Sequence, residues 1–240
     1  MSNSSEPIWA RAEPGSRRPR YTREQIAAAA LAVADGEGFD AVSMRRVALE
    51  LGAGTMTLYH YVRTKADLLD LMDDAIMGEV LVPDGELSLD WREALTEIAL
   101  RSRAAFARHP WALEGLRGAR GGPNGMKHFE QTLAAVSSLD LDLAGKLELA
   151  LIVDDYVFGY VLRSSHSGAA LPDEGARAAI GAYLTTLLAT GDYPNTSRMF
   201  EGMDVAEGLE LMIAAFRNEA RFERGLERLM DGLEANLRRG

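Results

Sequence analysis

The spacing of apolar residues predicts a series of α-helices from about residue 22 to residue 237 and therefore an all-α fold, and this pattern is most informative between Val42 and Lys65. Two short amphipathic patterns meet there at a turn bounded by Gly52 and Gly54. Two helices joined by a short turn that contains glycine are typical of a helix-turn-helix. We therefore expect two short helices in this stretch, the second from about residue 55 to residue 62.

Each of these two helices has one apolar face and one outward face. In the first helix, four apolar residues share the spacing i, i+3, i+4 and i+7: Met44, Val47, Ala48 and Leu51. In the second helix, Leu58 and Val62 are expected to point inward, which leaves six residues outside: Thr55, Met56, Thr57, Tyr59, His60 and Tyr61. Threonine, methionine and histidine side chains can contact base edges, and tyrosine hydroxyls usually reach phosphates. Two ordinary bundle helices with a solvated polar face would show the same pattern.

The run from Thr57 to Leu69, TLYHYVRTKADLL, resembles the signature of the TetR family, the tetracycline-repressor-like transcription regulators. The resemblance extends from near Thr22 to about Val80, and it includes a Gly-Phe pair at residues 38–39. It implies a DNA-binding head of three helices in which the second helix of the helix-turn-helix enters the major groove. It also implies a helical body behind that head, which senses a ligand and holds two copies of the chain together.

The resemblance implies roles for single residues. Arg45 matches a position that reads a guanine in the tetracycline repressor, and Lys65 would share a phosphate with the first N–H groups of the next helix, behind the cap candidate Thr64. The sequence departs from that repressor at Met44, where the repressor has a hydroxyl residue, and at Met56, where it has a proline, so its operator sequence is not carried over. The full predicted DNA-binding set is Arg45, Arg46, Thr55, Met56, Thr57, Tyr59, His60, Tyr61 and Lys65.

The formal net charge of −10 over 240 residues would by itself argue against DNA binding, but the charge is distributed unevenly along the sequence. Residues 1–66 hold nine Lys and Arg against seven Asp and Glu, whereas the remainder holds 17 against 29. Such asymmetry fits a small DNA-reading head on an acidic body. We expect a flexible basic arm at 1–20, a helix-turn-helix domain at 21–66 and a ligand-sensing and dimerisation domain at 67–240, with a connecting helix at about 64–80.

The predicted arm contains Arg17, Arg18 and Arg20, which could follow a minor groove or phosphates or could simply form a solvated tail. After it, Thr22 and Gln25 have the spacing of a capping box, which should begin the first helix. Beyond a polar break at residues 83–88, helices are expected at about 90–109, 110–116, 126–138, 143–165, 172–189, 205–216 and 222–237, with loops at 117–125 and 191–204.

The helix expected at 143–165 is apolar on nearly every side, so something should cover all of its faces. Asp154 and Asp155 interrupt it, and they would need either Tyr or Arg partners or a ligand. The run from Phe222 to Leu233 resembles the end of the tetracycline-repressor-type C-terminal domain. That resemblance implies that the eighth and last helices pair with their copies as a four-helix bundle across a two-fold axis. The alternative is a terminal helix packed within its own chain.

No constellation in the sequence supports enzyme chemistry. The chain has no cysteine, its four histidines lack a paired metal spacing, and adjacent aspartates on a helix diverge by about 100°. We therefore predict no enzyme, no metal and no cofactor apart from a small-molecule effector. No window is long and apolar enough for a membrane span, so we expect a cytoplasmic bacterial protein that joins the nucleoid when bound to DNA.

Aromatic residues fall on the helices that surround the ligand cavity in this family, although the same residues could fill a solid core. The predicted ligand-binding set is Phe106, Trp111, position 115 (Gly115, next to Leu116), Met126, His128, Phe129, Asp155 and Phe158. The expected function is that of a homodimeric repressor that a small hydrophobic or amphipathic molecule releases from a palindromic DNA operator. An activator or a ligand-independent regulator is the alternative, and an unrecognised helical enzyme is a more distant one.

Overall fold

A computed structural model describes residues 6–12, 20–116, 121–167 and 173–239 of the chain, and within these ranges the regular structure is helical, with no strand. The prediction of an all-α fold is confirmed. The α-helices are α1 (Arg23–Glu37), α2 (Met44–Glu50), α3 (Thr55–Tyr61), α4 (Lys65–Val80), α5 (Trp91–Arg108), α6 (Ala112–Gly115), α7 (Pro123–Ala135), α8 (Leu143–Ser167), α9 (Glu174–Ala189), α10 (Pro194–Met199), α11 (Val205–Arg217) and α12 (Ala220–Leu237).

The helix contacts divide the chain into two compact units. One unit holds residues 1–162 together with 229–240, and the other holds residues 163–228. In the first unit, α4 packs against α1, α5 and α7, and α2 packs against both α1 and α3. In the second unit, α9 packs against α10 and α11, and Arg177 donates a hydrogen bond to Glu210 at 2.9 Å between α9 and α11.

The first three helices begin and end where local sequence signals predict. The Thr22 hydroxyl accepts a hydrogen bond from the Gln25 backbone N–H at 3.3 Å, and the Gln25 side chain accepts one from the Thr22 N–H at 3.0 Å, which completes the capping box. Ser43 caps α2 in the same manner, by accepting from the Arg46 N–H at 3.2 Å. The turn after α2 needs Gly52, whose φ of +65° lies in the left-handed region.

The connecting helix α4 has a buried face along its whole length. A second capping box, between Thr64 and Asp67, begins this helix. The residues that are at most 2% exposed on its inward face are Leu68, Leu71, Met72, Ile76 and Val80. Because this stripe meets α1 on one side and α5 and α7 on the other, α4 belongs to the core of both the DNA-binding head and the body.

Helix α7 is hydrogen-bonded to α4 and to the segment that directly follows α4. At the start of α7, the Asp74 carboxylate accepts hydrogen bonds from the backbone N–H groups of Asn124 at 2.7 Å and Gly125 at 3.0 Å. Further along, the Gln131 amide pairs with the backbone of Val82, accepting at 3.1 Å and donating at 2.6 Å. Asp74 thus satisfies N–H groups that a helix start leaves without partners.

The N-terminal segment departs from the prediction of a flexible arm. Ile8–Ala10 forms a 3-10 turn, Ile8 is fully buried, and Arg11 forms an ion pair with Asp67 at the start of α4. Arg23 of α1 donates to the Arg11 carbonyl at 2.7 Å. Residues 8–11 are therefore held to the head, because burial of the isoleucine and the ion pair offset the loss of chain freedom. The other arginines predicted to act in the arm, Arg17 and Arg18, lie outside the described residues.

Two body elements differ from the sequence prediction. Helix α7 begins at Pro123, three residues inside the predicted loop, since proline is well suited to the first turn of a helix. The region predicted as a loop at 191–204 contains α10, which also has a proline, Pro194, in its first turn. Part of the predicted loop at 117–125, residues 117–120, lies outside the described residues.

Candidate DNA-binding surface

Helix α3 presents a continuous outward surface because two apolar residues anchor its other face. Leu58 and Val62 are at most 2% exposed. On the opposite side, Met56 is 74% and Tyr59 43% exposed, and His60 is also exposed. The remaining predicted contacts on this helix are partly exposed: Thr55, Thr57 and Tyr61. The surface therefore combines hydroxyl, thioether and imidazole groups, which can contact base edges and phosphates.

A groove of about 490 Å³ lies between α2 and the start of α3. Arg45 is exposed in this groove, and no ion pair or hydrogen bond of its guanidinium is found among the described residues. The groove is lined by Ser43, Arg45, Arg46, Leu49, Ala53, Gly54 and Thr55. The available guanidinium of Arg45 is consistent with its predicted role in reading a guanine, because arginine binds the guanine O6 and N7 atoms in a bidentate manner.

Arg46 has two acidic partners, which sets it apart from Arg45. Its Nε donates to Glu37 at 2.8 Å and its Nη2 donates to Glu50 at 2.8 Å. These hydrogen bonds, the one to Glu37 first, raise the pKa of Arg46, and the same bond lowers the pKa of Glu37. Arg46 was predicted to bind DNA, but in this structure its guanidinium links α2 to the end of α1 and is largely neutralised by two carboxylates.

Residues at the edge of the surface are held by aromatic contacts. The Tyr61 ring packs edge-on against Tyr21, with centroids 6.3 Å apart, and the Arg20 guanidinium lies 5.6 Å from the Tyr21 ring. The Lys65 ammonium lies 5.7 Å from the Phe39 ring and is exposed. These contacts orient Tyr61 at the end of α3 and Lys65 at the start of α4, where both were predicted to meet phosphates.

The Asp67 carboxylate occupies part of the α4 N-terminus that was predicted to share a phosphate with Lys65. It accepts hydrogen bonds from the backbone N–H groups of Arg63 and Thr64, both at 3.1 Å. Asp67 also forms the ion pair with Arg11. The positive end of α4 is thus partly satisfied within the chain, so a phosphate here would depend mainly on the Lys65 ammonium.

The predicted ligand-binding residues do not form one cluster. Phe106 is 6% exposed, and its ring packs edge-on against Phe158 at 5.3 Å between centroids, which brings α5 and α8 together. Met126 is 65% and Phe129 46% exposed on α7. Asp155 is also exposed, which contradicts the expectation that α8 buries both aspartates.

Two other residues of that set have environments that the sequence did not reveal. The His128 Nδ1 atom is buried and has no hydrogen-bond partner within the described ranges, and burial lowers the pKa of its imidazole. Position 115 was predicted to line the cavity with a side chain, but Gly115 has none, and that prediction is wrong. A Cβ atom at Gly115 would lie 2.7 Å from the Phe39 ring, so this glycine is needed for close packing. The neighbouring Leu116 is 8% exposed.

Trp111 was predicted to line a ligand cavity, but its ring stacks on Phe39 of the head, with centroids 5.5 Å apart. The Trp111 Nε1 atom donates a hydrogen bond to Asp35 of α1 at 2.8 Å. His109, 5% exposed, places Nδ1 2.8 Å from the same Asp35 oxygen and Nε2 3.2 Å from Glu79. We name this set of Asp35, Phe39, His109 and Trp111 the corner contact. It joins the end of α5 to the head.

Comparison with family models decides the identity of the chain. The model of bacterial regulatory proteins of the tetR family matches residues 26–72, and the model of the tetracyclin repressor-like C-terminal domain matches residues 84–237. The chain belongs to the TetR family. The resemblance inferred from residues 57–69 is therefore confirmed, and so is the helix-turn-helix prediction, since α2 and α3 lie within the first matched region.

Relatives and solved structures support the same TetR-family assignment. The HTH-type transcriptional repressor DrrR1 of Streptomyces coeruleorubidus is 32% identical over an aligned length of 242 positions, gaps included, and the alignment covers 92% of this chain and 89% of the relative. The tetracycline repressor protein class D of Escherichia coli is 28% identical over 162 residues, 65% of this chain and 72% of the relative. Apo ActR from Streptomyces coelicolor is 29% identical with a TM-score of 0.67, over 92% of this chain and 98% of that chain.

As a TetR-family member, the chain is a DNA-binding transcriptional regulator, and the prediction that it is not an enzyme is confirmed by this family membership. In the described ranges, no group of three or more histidine, aspartate or glutamate residues could hold a metal ion. Among the helices described above, none has the length and apolar character to cross a membrane.

One exposed residue of this TetR-type head was missed by the sequence prediction. Leu49 lines the groove beside Arg45 and is 71% exposed. The available signal was its position one helical turn after Arg45, outside the apolar stripe of α2. A leucine on an outward face gives little functional signal by itself, because isolated exposed apolar residues are common on protein surfaces.

Proposed function

We propose that the chain is a homodimeric repressor that binds a palindromic operator through α2 and α3 and leaves it when the body binds a small hydrophobic or amphipathic molecule. The observation that carries this proposal is the outward surface of α3, anchored by buried Leu58 and Val62, beside the available guanidinium of Arg45. The repressor DrrR1 supports the direction of regulation by similarity.

The proposed response to an effector uses the hydrogen bonds that join α7 to α4 and to the residues just after it. Asp74 of α4 and Val82, two residues beyond α4, hold α7 at two points, so a ligand that shifts α7 would shift α4, whose first turn carries Lys65. ActR from Streptomyces coelicolor, 28% identical, was solved in complex with actinorhodin with a TM-score of 0.60. By analogy, an effector of this chain would bind in the body and favour a head arrangement that no longer fits two successive major grooves, about 34–36 Å apart.

The proposed dimer uses the exposed apolar strip of α8. Leu151 is 58% and Phe158 37% exposed, and their spacing of seven residues places them on the same face of the helix. Helix α8 was expected to be covered on every side, but the part of the chain that the structure describes leaves this strip exposed. A second copy, related by a two-fold axis, would cover it and would place two heads side by side.

In vitro selection from a random DNA pool tests this proposal. We expect a two-fold symmetric site from the purified chain and no enrichment with an Arg45→Ala variant, because loss of a bidentate guanine contact costs on the order of 10- to 100-fold in affinity per half-site. A panel of hydrophobic and amphipathic compounds would then be screened by thermal shift and by release of the selected DNA. Selection of asymmetric or random sequences would contradict the proposal.

A further inference from the structure

We propose that Leu49 is a specificity residue that reads the C5-methyl group of a thymine adjacent to the base contacted by Arg45. This inference rests on the proposed function, and it names one base that the operator must contain. It concerns the groove between α2 and α3, in which Leu49 had no predicted role.

The geometry of α2 places Leu49 beside Arg45. The two residues are four positions apart, so they lie one turn apart on one face of the helix, and both line the same groove. The side chain of a helical residue leans towards the preceding turn, which directs Leu49 towards the level of Arg45. The residues that hold α2 in the core lie on its other face: Met44, Val47 and Ala48 are at most 9% exposed.

The opposite wall of the groove leaves room for a base edge. It consists of Ala53, Gly54 and Thr55, none of which has a long side chain. A Cβ atom added at Gly54 would meet only the Thr57 hydroxyl oxygen, at 3.7 Å. The Leu49 side chain is 71% exposed towards this space. An apolar group can therefore approach it without displacing a neighbouring side chain.

The charged residues around the groove indicate which base-edge groups Arg45 and Leu49 can contact. Glu50, the acidic residue next to Leu49, is bound to Arg46 at 2.8 Å. Arg45 therefore supplies the available charge and Leu49 the apolar surface. In the major groove, arginine pairs with guanine O6 and N7, whereas the thymine C5-methyl is the one apolar group that the base edges display. This combination fits a thymine next to a guanine in each half-site.

The test replaces each thymine of the selected operator, one at a time, by deoxyuridine, which removes only the methyl group. At one symmetric position per half-site, we expect deoxyuridine to weaken binding about fourfold per half-site, the effect of one buried methyl group. Leu49→Ala should weaken binding to the thymine operator by at least as much. It should also abolish the deoxyuridine effect at that position, because the two changes remove the same contact.

Two variants serve as controls. Leu89→Ala removes a leucine that is 96% exposed and lies outside the head, and it should leave both affinity and the deoxyuridine effect unchanged. Met56→Ala removes a large exposed apolar side chain of α3 that belongs to the predicted DNA-binding set, so overall affinity should fall, but the deoxyuridine effect assigned to Leu49 should survive it. Circular dichroism would verify that each variant is folded.

The outcomes separate this inference from the proposed function. If no symmetric operator is selected, both fail. If an operator is selected but every deoxyuridine effect persists in Leu49→Ala, or disappears only in Met56→Ala, then Leu49 does not read a thymine and the inference alone is overturned. A coupling confined to one symmetric thymine and to Leu49 supports it.

Discussion

Two adjacent arginines in α2 have different surroundings, and this difference predicts different effects on DNA binding. Arg45 is available in the groove, whereas Arg46 is bound to Glu37 and Glu50. We expect Arg45→Ala to weaken operator binding on the order of 10- to 100-fold per half-site. Arg46→Ala should weaken it less than about fivefold, because an already neutralised guanidinium adds little attraction for phosphate. Fluorescence anisotropy with the selected operator would measure both.

The double variant Glu37→Gln plus Glu50→Gln provides the control for this comparison. Without its two carboxylate partners, Arg46 becomes available for phosphate, so the variant should bind DNA more tightly and show a steeper dependence on salt. An Arg46→Ala variant that loses as much affinity as Arg45→Ala would show that Arg46 contacts DNA directly and exchanges its partners on binding.

Asp73 on α4 is a second residue whose surroundings determine a measurable property. Burial, and then the neighbouring Asp74 and Asp70, raise the pKa of Asp73 from 3.8 to about 6. An acid with a raised pKa binds its proton more tightly in the folded chain, so its contribution to stability is present below pH 3.8 and is lost as the pH rises through about 6. Ionised Asp73 therefore destabilises the folded chain at neutral pH.

We expect Asp73→Asn to increase the free energy of unfolding above pH 7 by about 1–2 kcal/mol, after allowance for solvent screening. The gain should shrink as the pH falls from 7 and vanish near pH 4. Urea unfolding of both proteins between pH 4 and pH 8 measures it. Asp84→Asn, in the exposed loop after α4, is the matched control and should change stability little at any pH. A gain that is the same at every pH would exclude this explanation.

At the scale of secondary-structure elements, the corner contact predicts how α5 and the head depend on each other. Trp111→Phe keeps a ring over Phe39 but removes the hydrogen bond to Asp35, which should reduce the free energy of unfolding by about 1 kcal/mol. Trp111→Ala also removes the stacking and should cost about 2–3 kcal/mol. If the corner contact couples the head to α5, the head of the alanine variant should unfold at a lower urea concentration than the head of the unmodified chain.

Trp91→Phe is the control, since no hydrogen bond of the Trp91 indole is found in the described part of the chain, and it should be close to neutral. Urea unfolding followed by circular dichroism measures all three variants. Equal stability of Trp111→Ala and the unmodified chain would show that the corner contact does not hold the head to α5. Such a result would indicate that the packing of α4 is what holds the head to α5.

The elements themselves were largely predictable because their signals are local. The capping boxes at Thr22 and Thr64 and the glycine at position 52 depend on hydrogen bonds and backbone angles within a few residues. The inward placement of Leu58 and Val62 follows from helical periodicity. The same periodicity determines which residues of α3 face outward.

The remaining features depend on contacts between residues that are distant in sequence. A single sequence does not indicate which distant residues will be in contact. Trp111 was assigned to a cavity because it is aromatic, yet its partners are Asp35 and Phe39, more than 70 residues away. The burial of Ile8 likewise requires the fold of the head to exist before the N-terminal segment can pack on it. The two partners of Arg46 show the same point, because Glu37 belongs to the preceding helix.

For the whole molecule, the distribution of charge and apolar surface indicates how two copies would assemble. The acidic residues belong mainly to the part after residue 66, so repulsion of phosphates by the body favours contact with DNA at the head. The strip on α8 has the opposite character, since Leu151 and Phe158 expose apolar surface on both sides of Asp155. A strip of this kind is costly in water and is typical of an interface with a partner.

Leu151→Glu should therefore separate the proposed dimer into monomers. Burying one leucine contributes about 1.5 kcal/mol or more, and a two-fold interface contains it twice, so the dimer dissociation constant should rise at least about 100-fold. Analytical ultracentrifugation at micromolar concentration measures the change, and operator affinity should fall with it because each head then binds alone. Leu89→Glu, on a leucine that is 96% exposed and lies outside α8, should remain dimeric. A Leu151→Glu variant that stays dimeric and keeps its operator affinity would place the interface on another surface, since this change removes two buried leucines from the proposed interface and adds two carboxylates beside Asp155.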